Sequence, residues 1–137
     1  MGFTFQLDWL AIIVATFSAF LFSMIWYIGL FRGLWMRAMG QSAKKIQQGI
    51  TKGGFIIPLV AFFLVSFVLE VLVKTIPLTT KTEGIVLGVL AWVGFYLSQT
   101  NVLMVMGTAD RKRLFWVDNL HYLIVLPLIS LILVMMG

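Results

Sequence analysis

Four long apolar stretches, near residues 9–30, 54–73, 84–106 and 114–136, set the limits on what this chain can fold into. A run of about 20 apolar residues is what an α-helix needs to cross a hydrocarbon core of about 30 Å at 1.5 Å of rise per residue. Inside lipid every backbone N–H and C=O must be satisfied within the protein, which leaves helices and closed barrels as spanning structures. A barrel calls for strands of about ten residues that alternate strictly, and the run from Leu123 to Leu128 does not alternate. The predicted fold class is therefore all-α, an integral membrane four-helix bundle forming one domain over residues 1–137.

The composition agrees. Hydrophobic residues make up 61% and charged residues 11%, with a mean hydropathy of +1.06, whereas soluble domains hold about half apolar and a quarter charged residues. Four spans leave little of the 137 residues for a soluble domain. The chain has no cysteine, which excludes disulfides, thiolate metal sites and cysteine nucleophiles. The first segment lacks a basic n-region, carries Asp8 and runs on longer than a signal-peptide core. It is expected to be retained as a true span.

The net charge is +5, but the basic residues flank spans and form no compact domain that could track a phosphate backbone, so the predicted partner is the lipid bilayer and not nucleic acid. The first connection carries Arg32, Arg37, Lys44, Lys45 and Lys52, and the third carries Arg111, Lys112 and Arg113. The second has only Lys74 and Lys81. Cytoplasmic loops concentrate Lys and Arg, so this asymmetry predicts a multi-pass protein with both termini outside.

Within the first connection Phe31, Trp35, Met39, Ala43, Ile46 and Ile50 recur at helical spacing, with Arg37, Lys44, Lys45 and Gln48 elsewhere around the axis. This predicts a short amphipathic cytoplasmic segment between spans one and two, broken near Gly40, that lies on the membrane surface. The simpler alternative is a loop anchored by Trp35. Trp9 and Trp116 stand near span ends, where amphipathic rings favour the headgroup region. Gly84 and Gly88 form a small-x-x-x-small pair that would let another helix approach. Glu70 and Lys74 have the i, i+4 order of a helical ion pair at the end of a span. No internal repeat is evident.

The candidate site is a set of polar residues placed at one depth by the short connection between spans three and four, which makes those spans antiparallel neighbours. Gln99, Thr100 and Asn101 come before the end of span three, and Asp118, Asn119, His121 and Tyr122 follow the start of span four. Asp118 shares a helix face with His121 and Tyr122, and Arg111 or Arg113 could pair with it. A central Asp costs about 2.5 to 3.5 kcal/mol to insert, so it must face protein or water.

Two readings follow. In the structural one, Asp118 accepts hydrogen bonds from His121, Arg113 or Arg111, and Asn101, and locks the hairpin. In the functional one, the cluster lines a hydrated cavity with Asp118 and His121 as the titrating pair. Trp92 and Tyr96, on a face leading to the cluster, are candidates for a pocket wall. One His and one Asp cannot complete a metal site, which only symmetry-related copies could do. No metal, cofactor or catalytic constellation is predicted.

Trp26, Tyr27, Leu30, Phe31, Leu34, Trp35 and Met36, within WYIGLFRGLWM, resemble the bacterial membrane family named domain of unknown function 1761. The opening DWLAIIVA, Gly94 with Phe95, Asn101, and the basic stretch leading to Leu114, Asn119, His121 and Tyr122 extend the similarity over nearly the whole chain. The resemblance implies four spans and a bacterial inner-membrane setting, and brings no mechanism with it.

Three functions remain open. The first is a non-enzymatic homo-oligomeric or accessory subunit of a larger membrane complex. The second is a small channel or carrier for a proton, ion or polar solute through the cluster between spans three and four. The third is a small membrane enzyme binding a thiol conjugate between subunits, by analogy of size and span count with the proteins of eicosanoid and glutathione metabolism. Arg111, Arg113, Asn119 and Tyr122 supply the chemical types for that last case.

Overall fold

The computed structural model describes residues 2–40, 54–100 and 109–136, and among these every element is helical. Asn101 and the 41–53 part of the first connection lie outside the described residues. Helix α1 (Trp9–Met24) continues into a π-helical turn, Ile25–Leu30. Asp8 caps its start, the carboxylate accepting a hydrogen bond from the Ala11 N–H at 3.1 Å. That bond satisfies one of the orphan donors at a helix N-terminus.

The short α2 (Arg32–Met39) ends at Gly40, whose φ of 66° is the left-handed conformation that glycine adopts without a Cβ penalty. The expected break near Gly40 is therefore a helix stop. Leu34, Trp35 and Ala38 pack on Leu114 and Val117 of the last helix together with Trp26, Tyr27 and Phe31. Thus one face of α2 docks on protein, while Arg32, Gly33 and Arg37 remain exposed on another.

Helix α3 (Ile56–Thr75) corresponds to the second stretch, and α5 (Ala109–Met136) to the fourth, starting five residues earlier than its apolar run. Between them α4 (Lys81–Ala91) passes into a π turn (Trp92–Tyr96) and a 3-10 turn (Leu97–Gln99). A capping box starts α4: Thr80 Oγ1 accepts from the Glu83 N–H, and the Glu83 carboxylate accepts from the Thr80 N–H and hydroxyl. Those bonds favour the charged form and hold the Glu83 carboxyl below its ordinary range. Three helices, Trp9–Leu30, Ile56–Thr75 and Ala109–Met136, are long and apolar enough to cross a membrane.

Helix α5 is the centre of the assembly and packs against α1, α3 and α4. Lipid is as apolar as leucine, so close packing rather than burial from water must hold such helices together. Small residues permit it. Ala11, Ala15 and Ala19 form a fully buried stripe on α1, and Gly84 and Gly88 form another on α4. A Cβ at Gly88 would lie 2.3 Å from Pro127 Cα, and one at Gly84 would lie 3.1 Å from the Ser130 carbonyl oxygen. Ile12, Val125, Ile129 and Leu133 fill the core between the stripes.

Candidate functional site

The polar residues of α5 face different neighbours. Asn119 turns toward the third stretch: its Nδ2 donates to Thr100 Oγ1 at 3.0 Å and to the Phe115 carbonyl at 2.9 Å. Asp118 and His121 turn toward α1. Tyr27 donates its hydroxyl to Asp118 Oδ1 at 2.5 Å, Ser23 Oγ lies 2.6 Å from His121 Nε2, and the Trp26 indole N–H donates to the Val117 carbonyl at 3.2 Å. The expected cluster between spans three and four is thus divided, with its ionisable members held by span one. The cause is azimuth: successive helix residues are rotated by about 100°, and a helix with three neighbours gives adjacent positions different partners.

Other expected contacts fall elsewhere. Arg113 pairs with Asp110 at 3.4 Å on the exposed first turn of α5, where Arg37 of α2 also approaches Asp110 at 3.9 Å. Arg111 lies exposed on the same turn, and Gln99 is exposed at the end of its 3-10 turn. Tyr96 packs on Tyr122 in a tilted pair with ring centroids 4.1 Å apart and lines an apolar cavity of about 360 Å³ among α3, α4 and α5, which Trp92 does not line. Glu70 does pair with Lys74 at 3.7 Å near the end of α3, the end-of-span bridge expected, with the Glu70 side chain fully enclosed.

His121 is completely buried in a cage of rings. The centroids of Tyr122, Tyr27, Phe22, Trp26 and Phe62 lie 4.5, 4.9, 5.7, 6.1 and 6.4 Å from its own. Such ring pairs contribute about 0.5–1.5 kcal/mol each beyond area burial. Ser23 Oγ has one proton and two claims on it, since it also lies 2.9 Å from the Ala19 carbonyl. If it donates to Ala19 it accepts from Nε2–H, and if it donates to Nε2 the imidazole proton sits on Nδ1. In either case Nδ1 has no partner among the described residues.

A cavity of about 330 Å³ opens beside this pair, between α1, α2, α3 and α5. Ser23, Tyr27, His121 and Tyr122 form its polar side, while Phe20, Trp35, Phe55 and Phe62 are among its apolar walls. Sequence reasoning missed Ser23, Phe62 and any site role for Tyr27. The available signal was the i, i+4 spacing of Ser23 and Tyr27 in an otherwise apolar half-span. The π turn, with Phe31 N–H bonded to the Trp26 carbonyl at 3.0 Å, shapes the segment that carries Trp26 and Tyr27. Such turns occur often at functional sites.

Chemically the arrangement is a hydrogen-bonding pocket. A serine activated by histidine needs a third group to orient the imidazole and donors for a developing oxyanion. Here the neighbouring carboxylate is engaged by Tyr27, and Nδ1 has no partner among the described residues. No group of three metal-ligating side chains occurs among them either.

Three apolar spanning-length helices packed on one another define a helical protein compatible with a membrane setting. Within that class the chain belongs to the family described as protein of unknown function (DUF1761), whose profile matches residues 10–134. No curated protein and no solved structure matches it.

Proposed function

We propose that this is a four-span bacterial inner-membrane protein, both termini outside, that binds a small amphiphilic molecule drawn from the bilayer. The observation that carries the reading is the cavity of about 330 Å³ with Ser23 and His121 on its polar side and Phe20, Trp35, Phe55 and Phe62 among its apolar walls. Ligand sites are mostly apolar concavities with a few placed polar groups, and this cavity is large enough for a ring system or short chain bearing one hydrogen-bonding group. Helix α4 and its continuation through Gln99 supply 19 helical residues toward the third of the four spans.

Native mass spectrometry of protein purified in mild detergent or nanodiscs tests this. Wild type should carry a bound small molecule, and His121→Leu, which removes the anchor, and Ile28→Trp, which fills the cavity, should each lose it. A wild-type protein free of any adduct in both environments would sink the reading.

A second reading is favoured by the Tyr27–Asp118 and Asn119–Thr100 bonds, which tie helices together as a structural cluster does. It makes the chain a non-enzymatic oligomeric or accessory membrane subunit. A mass corresponding to a single chain in nanodiscs, with no co-purifying protein, counts against it.

A further inference from the structure

The cavity of about 360 Å³ continues the line of the one beside His121. Along α3, Pro58, Phe62, Val65, Leu69 and Leu72 follow one another at steps of three and four, which places them on one helix face. Pro58 and Phe62 line the first cavity, and the other three line the second. On α5, Tyr122 and Leu126 lie one turn apart along the same line. Among the described residues Tyr122 alone lines both cavities. It meets Phe62, a wall of the first, at 6.4 Å between ring centroids, and Tyr96, a wall of the second, at 4.1 Å. At that point the partition is a single side chain.

The two cavities differ in character. Ser23, Tyr27 and His121 give the first its polar side, whereas the second is bounded by aliphatic and aromatic side chains. Among the described residues no charged side chain lines either one. Helix α4 packs on α5 and leaves the neighbouring flank of α3 uncovered, so Leu64 and Val68, on the rim of the second cavity, are more than half exposed. In a bilayer that rim faces hydrocarbon.

We infer that the two cavities form one binding site for a neutral single-chain lipid, its hydrogen-bonding head beside Ser23 and His121 and its tail led past Tyr122 into the furrow between α3 and α4. This rests on the amphiphile reading above and names the class of the ligand. A charged head would be enclosed without a countercharge, which is costly, so the head is a hydroxyl or another uncharged group. The furrow runs from Leu64 to Leu72, about 12 Å along the helix. An extended chain advances about 1.2 Å per bond, so the furrow takes a tail segment of about ten carbons. Bilayer tails offer the furrow the same apolar contact, and the hydrogen bond to the head supplies the preference for this ligand.

The test uses hexadecanol carrying a diazirine at the end of its tail, photolysed with the full-length protein in phosphatidylcholine nanodiscs and mapped by peptide mass spectrometry. Wild type should be labelled on α3 between Leu64 and Leu72 and at Phe95 and Tyr96. Excess unlabelled hexadecanol should lower that labelling about tenfold, while hexadecane, which lacks the head, should not. Ile28→Trp, which fills the first cavity and lies outside the furrow, should lower it as far. Labelling that hexadecane competes equally well, or that Ile28→Trp leaves unchanged, is contact with bulk lipid and overturns the proposal. Should Ile28→Trp not fold, the comparison of hexadecanol with hexadecane decides. Val68→Trp, at a lipid-exposed position, should clear the furrow of label yet keep labelling of Phe55 and Phe62 by a second probe with its diazirine beside the head. Tail-end labelling confined to Phe55 and Phe62 in wild type overturns the joined site and leaves the amphiphile reading standing. Absence of competed labelling at both cavities overturns it as well, and the amphiphile reading then stands or falls by the native adduct.

Discussion

Asp118 lies one third of the way along α5, and what makes its presence tolerable is the Tyr27 hydroxyl. A hydrogen bond to a charged group contributes about 1.5–3 kcal/mol, comparable with the cost of inserting the carboxylate. Tyr27→Phe keeps the ring among its aromatic neighbours and removes only that donor. It should lower stability by about 1.5–3 kcal/mol in a denaturant titration in mild detergent, whereas Asp118→Asn, which keeps an acceptor for Tyr27, should cost less. Equal stability of Tyr27→Phe and wild type would show that Asp118 is satisfied otherwise. At this scale the sequence is legible in one direction. Asp118, Asn119, His121 and Tyr122 stand out because polar groups in an apolar run are costly, but their partners do not. A serine such as Ser23 can bond its own helix, as it does to Ala19, so its i, i+4 spacing to Tyr27 marks a polar face but does not name a partner until the azimuth of α5 is known.

At the level of elements, backbone approach decides the architecture. The pair Gly84 and Gly88 reads directly from the sequence as a contact face, and α4 meets α5 there. The partner position, Pro127, does not read so easily, because a proline within a helix signals a break: it lacks the N–H that would bond the Leu123 carbonyl. Helix α5 nevertheless runs through it, with the flat backbone of Gly88 filling the space alongside. Gly88→Ala would place a methyl group 2.3 Å from backbone atoms that cannot rotate away. The helices must separate, at a cost of about 1–3 kcal/mol or more in thermal or denaturant unfolding. Gly94→Ala is the control, since nothing lies within 4 Å of its Cβ position, and it should change stability by less than about 0.5 kcal/mol. The two π turns were illegible for a related reason: nothing in IWYIGL or WVGFY forces i→i+5 bonding, and only in the fold do Trp26 and Tyr27 meet His121, and Tyr96 meet Tyr122.

For the whole molecule the open quantity is orientation. The Ser23–His121 and Phe62–His121 contacts put the end of α1 and the starts of α3 and α5 together, so Arg32, Arg37, Arg111, Lys112 and Arg113 collect at one end. Asp8, Lys74, Lys81 and Glu83 collect at the other, where Lys and Arg are matched by acids. If the positive-inside bias acts, the rich end is cytoplasmic, and the cavity beside His121 opens in the cytoplasmic half of the bilayer. The absence of cysteine makes this directly measurable, because any thiol introduced is the only one in the chain. Thr79→Cys, exposed between α3 and α4, should react with a membrane-impermeant maleimide on intact bacteria. Lys112→Cys, exposed on the first turn of α5, should react only after the membrane is permeabilised. The reverse pattern would invert the protein and place the cavity on the outer side. Labelling of both sites from outside would be incompatible with α5 and the α3–α4 connection lying at opposite faces, and would overturn the proposed four-span arrangement.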